Sequence, residues 1–164
     1  IYEAFTYYDR EVLPQKNDDV INAHAMPGAH AALQAVQDAG LRCALFTNPS
    51  FPQGAIECRM GWGDLADVPF ELVTHMGNAT RCKPDAAYYL EQLQVMGLEP
   101  HEVLMVGNDP KRDFPSPACG IQTAYVGQGK PGRATWHGTM EDFARDFNAV
   151  IEAFYEHQVA DELS

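Results

Sequence analysis

The sequence has few basic residues and no long apolar run. Its 164 residues include 11 Lys and Arg against 23 Asp and Glu, a formal net charge of −12. A charge of this sign and size repels nucleic acid and anionic membranes, so we expect neither as a partner. No apolar stretch approaches the ~20 residues that a membrane-spanning helix needs. No signal peptide is visible at the start of the sequence.

Clustered metal ligands and an initiator Met are also lacking. The four cysteines are widely spaced and form no CxxC pair, and the six histidines form no close cluster. This spacing argues against a zinc site or a disulfide framework and favours reduced thiols, so we expect a cytoplasmic protein. Because the chain begins with Ile1, we expect the true N-terminus to lie upstream. Nothing in the sequence separates a monomer from a homodimer.

Apolar patterning predicts helices that alternate with strands. Pro27 and Gly40 bracket the second helix, which should bury Ala31, Leu33, Ala35 and Val36. A later helix from Pro84 should bury Tyr88, Leu90, Leu93 and Val95. We expect Trp62 and Trp136 in loops. The predicted helices cover 1–13, 27–39, 53–60, 84–96 and 140–157, the strands 41–46, 70–75, 103–106 and 121–126, and loops 15–25 and 127–138. This alternation predicts an α/β fold with a doubly wound parallel sheet.

Polar side chains follow two of the predicted strands, and parallel sheets bind ligands at the carboxyl ends of their strands. Thr47 and Asn48 come directly after the strand over 41–46 and can hydrogen-bond an anionic oxygen. The simpler alternative is a turn capped by a polar side chain before Pro49. Lys83 precedes the helix from Pro84, where it can neutralise a phosphoryl group or remain a solvated surface cation.

The third polar segment follows the strand over 103–106 and reads Gly107-Asn108-Asp109-Pro110-Lys111-Arg112-Asp113. Two carboxylates flank a short turn here, and such oxygens suit Mg²⁺, which takes one or two carboxylates together with water and phosphate. The alternative is an acidic turn leading into a helix, with Asp113 near the start of that helix.

Taken in order, these segments resemble three motifs of the haloacid dehalogenase superfamily, in the branch with a helical cap. The motifs are LFTN at 45–48, KPDAAYYLEQL at 83–93 and VLMVGNDPKRD at 103–113. The resemblance spans about residues 26–126. It implies a Rossmann-like core over 26–164, with 1–25 as the remnant of the helical cap.

The family's first motif is missing from this chain. That motif is a central strand ending in Asp-x-Asp, whose first Asp is the nucleophile, and no such sequence precedes residue 26. The absence of that strand would leave backbone donors and acceptors of its neighbours unpaired, at ~1–3 kcal/mol for each buried group. We therefore expect this sequence to be part of a longer protein and to be inactive alone.

For the intact protein the resemblance implies a Mg²⁺-dependent phosphatase acting on a small phosphorylated metabolite through an aspartyl-phosphate. Thr47 and Asn48 would hold the phosphoryl oxygens, and Lys83 would offset their charge. Asn108 or Asp109 would bind the metal, and Asp113 would position Lys83 or a metal-bound water. The alternatives are a non-catalytic binding module of the same fold, a dehalogenase without metal, and a phospho-receiver domain, in which the order of motifs differs.

Overall fold

The computed structural model describes residues 2–18 and 22–162. Over that part of the chain the α-helices are α1 (Tyr2–Tyr7), α2 (Ala29–Asp38), α3 (Gln53–Trp62), α4 (Ala86–Met96), α5 (Met140–Arg145) and α6 (Phe147–Glu162). The strands are β1 (Ala44–Leu45), β2 (Leu72–Val73), β3 (Leu104–Gly107), β4 (Gln122–Val126) and β5 (Trp136–Gly138). Short π- and 3₁₀-helical turns cover Tyr8–Val12, Leu13–Gln15, Pro100–Glu102 and Pro117–Cys119. Among the helices described, none has the length and apolarity to cross a membrane.

The chain divides into two compact units. The first comprises the described residues of Ile1–Pro27 and Arg42–Thr80, and the second those of Gly28–Leu41 and Arg81–Ser164. Strands β1 and β2 pair in parallel in the first unit, and β3, β4 and β5 form a parallel sheet in that order in the second. Parallel pairing in both sheets, with α3 between β1 and β2 and α4 between β2 and β3 along the chain, confirms the predicted α/β fold. The assignment of 1–25 to a cap and of 26–164 to a core stays a prediction.

The strands of the first unit are shorter than predicted. Residues 41–46 and 70–75 contribute only Ala44–Leu45 and Leu72–Val73 to the paired ladder. One further hydrogen bond extends the pairing at each end, from Glu71 N–H to the Cys43 carbonyl (2.8 Å) and from Thr74 N–H to the Leu45 carbonyl (3.0 Å). The ladder is therefore brief, and it ends where Thr47 begins the polar turn.

The helical N-terminal segment continues past Pro14, where the sequence predicted a stop. Helix α1 passes through a π-helical turn into the 3₁₀ turn Leu13–Gln15, and Pro14 lies in the first positions of that turn. A proline is tolerated there because the N–H it lacks would have no helical acceptor.

Helix α2 begins two residues later than predicted, since the sequence placed its first residue at Pro27. Gly28 is the N-cap, at φ +84°, and the helix starts at Ala29. Ala32 is the buried residue of this helix, with Ala35 and Val36 beside it, whereas Ala31 is exposed. The prediction was wrong for Ala31 because the buried stripe follows i, i+3 and i+4 from Ala32.

Helix α4 also buries a different face from the one predicted. Its fully buried residues are Tyr88, Tyr89, Gln92 and Leu93, whereas Leu90 and Val95 are 46% and 67% exposed. The buried positions follow the helical period from Tyr88, and they include a polar residue that hydrophobicity alone would place in solvent. Asp85 caps the helix by accepting the Ala87 N–H at 2.9 Å, and Gly97 ends it at φ +65°.

The core of the second unit lies between its sheet and helices α2, α5 and α6. Its buried residues are Ala32, Ala124, Val126, Phe143, Phe147 and Val150. Trp136 packs edge-on against Phe143, with ring centroids 5.3 Å apart.

The predicted loop over 127–138 ends in strand β5, which contains Trp136. Trp62 is the last residue of α3, so both tryptophans lie in regular elements and not in the loops that were predicted. The helix predicted over 140–157 is two helices, α5 and α6, separated at Asp146.

Candidate active site

The turn after β3 is closed by Asp113. Its Oδ2 accepts the backbone N–H groups of Asn108 (3.1 Å) and Asp109 (2.9 Å). Its own N–H donates to the Asp109 carbonyl at 2.7 Å. The turn leads into the 3₁₀ turn Pro117–Cys119 and not into the helix that the acidic-turn alternative required. The carboxylate and the backbone N–H of Asp113 therefore stabilise this turn by hydrogen bonds to Asn108 and Asp109.

Glycine is needed at position 107 because the Asp113 side chain lies against it. A Cβ built on Gly107 would be 2.6 Å from Asp113 Cβ and 2.9 Å from its Oδ2. Contacts this short do not occur between real atoms, so any larger residue would push the carboxylate aside. Gly107, the last residue of β3, makes room for the carboxylate at the end of the strand.

Lys83 lies just before α4 and forms an ion pair with Asp113. Its Nζ is 2.7 Å from Asp113 Oδ1, and the two side chains are only 10% and 13% exposed. Charges this little hydrated are retained when they are paired and hydrogen-bonded, as both are here. The pair sets one cation at the carboxyl end of β3, beside the acidic turn.

Tyr89, one helical turn into α4, holds Asp113 from another side. Its phenol donates a short hydrogen bond to the Asp113 backbone carbonyl. Burial, followed by the nearby Asp113 carboxylate, raises the pKa of the Tyr89 phenol well above its usual range. The phenol is therefore a neutral donor at physiological pH, so Asp113 is fixed through its backbone as well as its carboxylate.

Asn108 and Asp109 are the metal ligands expected from the sequence. The Asp109 side chain is 44% exposed, and its Oδ2 lies 3.6 Å from the exposed Arg112 guanidinium. Its Oδ1 accepts the N–H groups of Lys111 (3.1 Å) and Arg112 (3.3 Å). Within the described residues no three His, Cys, Asp or Glu side chains are grouped to hold a metal ion. One exposed carboxylate and one exposed amide nevertheless supply the oxygen ligands that Mg²⁺ takes together with water, so this donor set fits part of a magnesium site.

Thr47 and Asn48 lie in the first unit, directly after β1. The Thr47 N–H donates to Thr74 Oγ1 (2.7 Å), and the Thr47 hydroxyl donates to the Thr74 carbonyl (2.7 Å). Thr74 is fully buried at the end of β2. The two threonines therefore tie together the carboxyl ends of β1 and β2, while the Asn48 side chain is exposed.

A pocket of about 290 Å³ opens beside this turn in the first unit. Its polar lining comes from the Thr47–Asn48 turn, Ser50 and Arg59, and its apolar lining includes Ile56 and Leu65. Arg59 belongs to α3, and its guanidinium carbon lies 4.7 Å from the centre of the Phe51 ring. The pocket thus joins a strand-end turn to a helix that carries a cation.

The site residues predicted from the sequence thus fall into two groups. The structure brings Lys83 and Asp113 into direct contact and ties Asn108 and Asp109 to Asp113, all in the second unit. Thr47 and Asn48 form a separate cluster with Thr74 in the first. That the two groups meet at one substrate stays a prediction.

The sequence analysis missed three residues of these clusters, namely Thr74, Tyr89 and Arg59. Of these, only Thr74, a polar residue near a strand end, carried the signal used for Thr47.

The fold and these clusters define an α/β protein with parallel sheets and polar turns at its strand ends. The family model for haloacid dehalogenase-like hydrolases matches residues 2–119. A phosphoglycolate phosphatase of Rhodospirillum rubrum is 31% identical over 112 residues, which is 68% of this chain and 45% of that protein. The chain therefore belongs to the family of haloacid dehalogenase-like hydrolases.

Solved structures share the same fold. A β-phosphoglucomutase of Clostridium difficile matches 82% of this chain and 58% of its own with a TM-score of 0.65 and 16% identity. A haloacid dehalogenase-type phosphatase of Thermococcus onnurineus matches 74% of this chain and 57% of its own with a TM-score of 0.61 and 21% identity. The chain thus spans about half the length of these proteins, and at these identities the likeness concerns the fold alone.

Proposed function

We propose that the protein containing this chain is a Mg²⁺-dependent phosphatase that hydrolyses small phosphate monoesters through an aspartyl-phosphate. The observation that supports this most is the Lys83–Asp113 pair, a shielded cation at the end of a parallel strand in a chain of net charge −12. An overall field of that sign repels phosphate esters, so a phosphate site needs a cation fixed locally. The nucleophilic Asp of this mechanism lies outside this chain.

Lys83 acts by charge. Its ammonium donates one hydrogen bond to Asp113 Oδ1, which fixes its direction. A positioned ammonium stabilises the negative charge that a phosphoryl group carries when a carboxylate attacks phosphorus and the alcohol leaves. Asp113 is a positioning residue here, because its own oxygens are taken by Lys83 and the turn.

Thr47 and Asn48 act by hydrogen bonding. The Thr47 hydroxyl, which donates to the Thr74 carbonyl in this structure, would turn to donate to a phosphoryl oxygen. The exposed Asn48 amide would donate to a second oxygen. Donors of this kind at the end of a strand orient the group for in-line attack.

Magnesium would be held by Asp109 or Asn108 together with ligands from outside this chain. When bound, the ion supplies positive charge against the phosphoryl oxygens. Asp109 is the better candidate of the two because an anionic oxygen binds this hard cation more strongly than an amide oxygen does.

The substrate would be a small phosphorylated metabolite. The curated relative is named a phosphoglycolate phosphatase, and 2-phosphoglycolate is therefore the first ester to test. The test uses the full-length protein and measures release of inorganic phosphate from 2-phosphoglycolate and from p-nitrophenyl phosphate, with Mg²⁺ and after EDTA. We expect hydrolysis that EDTA abolishes and Mg²⁺ restores.

Two variants test the assigned residues. Lys83→Met and Asp109→Asn should each lower kcat by about 100-fold or more, since removing one electrostatic stabiliser of a transition state costs that much. Lys130→Met is the matched control, because Lys130 is an exposed loop residue of the same unit and carries the same charge. Circular dichroism checks that each variant is folded.

Three results would contradict the proposal. Full activity in Lys83→Met and Asp109→Asn would remove both residues from the mechanism. Hydrolysis of a haloacid that is insensitive to EDTA, without phosphatase activity, would indicate a dehalogenase. Failure of the full-length protein to hydrolyse any phosphate ester, even with Mg²⁺, would indicate a non-catalytic binding module.

A further inference from the structure

Among the residues that the structure describes, Arg59 has no acidic partner, although the chain has more than twice as many acidic as basic residues. Within the described residues, ion pairs join Arg42 to Glu71, Lys83 to Asp113, Arg112 to Asp109, and Arg145 to Asp142 and Asp146, and none of them includes Arg59. The contact made by its guanidinium is with the ring of Phe51. Its hydrogen-bonding edge is thus available to a ligand.

The Phe51 ring also restricts where that edge can lie. A guanidinium stacked on an aromatic face keeps its N–H groups free in the plane, and the stacking limits the motion of a long side chain. Phe51 is itself 44% exposed, so it serves as a platform at the surface and not as core packing. Arg59 is therefore partly pre-organised to bind a planar or tetrahedral anion.

The pocket lining sets Arg59 in the same cavity as the proposed phosphate-binding turn. Thr47 and Asn48, Ser50 and Arg59 all line the cavity of about 290 Å³, and Ile56, Met60 and Leu65 supply apolar surface there. Both features belong to the first unit. This volume is at the lower end of ligand pockets, which limits the ligand to a small molecule.

We propose that Arg59 is a specificity-determining residue that binds a second anionic group, a carboxylate or another phosphate, on the phosphate ester held by Thr47 and Asn48. This proposal rests on the proposed phosphatase function for the role of the Thr47–Asn48 turn. It adds a substrate class, that of small esters with two anionic ends. Arg59 touches the substrate at the end away from the reacting phosphorus, so it acts on binding.

The test measures binding without turnover. Isothermal titration calorimetry of the full-length protein in Mg²⁺ buffer compares phosphonoacetate, which carries a carboxylate, with 2-hydroxyethylphosphonate, which carries an alcohol in its place. Ethylene-1,2-diphosphonate, with a second phosphonate, distinguishes the two kinds of second anion. We expect phosphonoacetate, ethylene-1,2-diphosphonate or both to bind at least tenfold more tightly than 2-hydroxyethylphosphonate, because a charge-assisted bidentate contact contributes on that order.

Three variants assign that preference. Arg59→Gln should remove it, with a loss of about ten- to one-hundred-fold in affinity for the preferred compound and far less for the alcohol. Phe51→Leu keeps an apolar residue but removes the platform, and should weaken the preference by about two- to fivefold. Arg42→Gln removes an exposed cation from the same unit, one that is paired with Glu71, and should leave the preference intact. Thermal melts confirm that all three are folded.

The proposal is overturned if the wild-type protein binds all three compounds equally, or if Arg59→Gln weakens all of them alike. These outcomes differ from a failure of the proposed function. If no phosphate ester is hydrolysed but the Arg59-dependent preference is present, the anion site stands and the phosphatase assignment falls. If hydrolysis occurs without that preference, the reverse holds.

Discussion

At the scale of single residues, Asp113 links most of what the second unit contributes to the candidate site. Its carboxylate accepts hydrogen bonds from Lys83 Nζ and from two backbone N–H groups of the turn after β3. Its carbonyl accepts the phenol of Tyr89 on α4. Because one carboxylate holds both the cation and the turn, displacing it should disturb both together.

Gly107→Ala tests this dependence. The added methyl would lie 2.6 Å from Asp113 Cβ, so the Asp113 side chain must move and its bond to Lys83 must lengthen or break. We expect the free energy of unfolding to fall by about 1–3 kcal/mol, as overpacking does in well-packed sites. Phosphatase activity of the full-length protein should fall as well. Urea denaturation followed by circular dichroism measures the first effect.

Gly61→Ala is the matched control for that substitution. Gly61 lies within α3 and has no heavy atom within 4 Å of the position of an added Cβ. Alanine there should leave stability unchanged or raise it by about 0.5–1 kcal/mol, because alanine loses less backbone entropy in a helix. If the two variants were equally stable, the close packing of Asp113 against Gly107 would be contradicted.

At the scale of elements, the contact between α2 and α5 depends on Gly28. A Cβ on Gly28 would lie 2.6 Å from Glu141 N and 2.7 Å from Glu141 Cα, which are backbone atoms of α5. Gly28 also has φ +84°, a conformation that side chains disfavour. Glycine at position 28 therefore permits both the backbone conformation at the start of α2 and the close approach of α2 to α5.

Gly28→Ala should destabilise the protein more than Gly40→Ala does. Gly40 also has a left-handed backbone, at φ +66°, but its added Cβ would meet nothing within 4 Å. Gly40→Ala thus measures the conformational strain alone, at about 1–2 kcal/mol. Gly28→Ala should cost about 1–3 kcal/mol more from the clash with α5. Equal urea midpoints for the two variants would show that α5 moves away without penalty.

The start of α5 carries a pH-dependent hydrogen-bond cluster. Thr139 and Asp142 form a capping box, in which Asp142 Oδ2 accepts the Thr139 hydroxyl at 2.7 Å and the Thr139 N–H at 2.9 Å. These bonds, with a contribution from Arg145, lower the pKa of Asp142 to about 2. A carboxyl whose pKa is lower in the folded than in the unfolded state stabilises the fold above its unfolded pKa.

We therefore expect Asp142 to support folding above pH of about 4 and to lose that contribution as the pH falls towards 2. NMR titration of the side-chain carboxyls should show Asp142 among the last to protonate on acidification. Thr139→Val removes the hydroxyl, the largest cause of the shift, and should move the midpoint upwards. An unchanged midpoint in that variant would assign the shift to the Thr139 N–H and Arg145 instead.

The sequence predicted elements well where a local signal marked them. Gly97 after α4 and the apolar run before Gly107 carry such signals, and the structure has a helix and a strand there. The buried face of α4 could not be predicted, because Gln92 is in the core by virtue of tertiary packing and is polar. Strand β5 was missed for a related reason. Its three residues gain their structure from pairing with β4 and have no alternating pattern of their own.

At the scale of the whole molecule, the same contrast applies to the site. The types of residue at the strand ends were readable from the sequence because parallel sheets bring ligands to those ends. The pairing of Lys83 with Asp113, 30 residues away, depends on the path of the chain. The family resemblance implied it as one of two roles for Asp113, whereas the residue pattern by itself gave no sign of it. Arg59 carries no motif at all, so only its place in a pocket and its stacking on Phe51 distinguish it from other surface cations.

The four free cysteine thiols are distributed over both units, so their reactivity measures how well each unit shields its cysteines. Cys82 is exposed, whereas Cys43, Cys58 and Cys119 are partly buried, and burial raises the pKa of each of these three thiols. The thiolate is the reactive form, so a raised pKa and a shielded sulfur both slow alkylation. At pH 8 under native conditions, iodoacetamide should therefore modify Cys82 first, and Cys43 and Cys58 of the first unit and Cys119 of the second more slowly.

Peptide mass spectrometry over a time course measures the four rates. In urea, where burial is lost, the rates should converge, and in Cys82→Ser only the slow reactions should remain. Cys43 labelled as fast as Cys82 in the native protein would mean that the pairing of β1 with β2, which flanks Cys43, opens readily. Slow labelling of Cys43 and Cys119 together would instead show that the segment around β1 and the 3₁₀ turn before β4 both stay closed in solution.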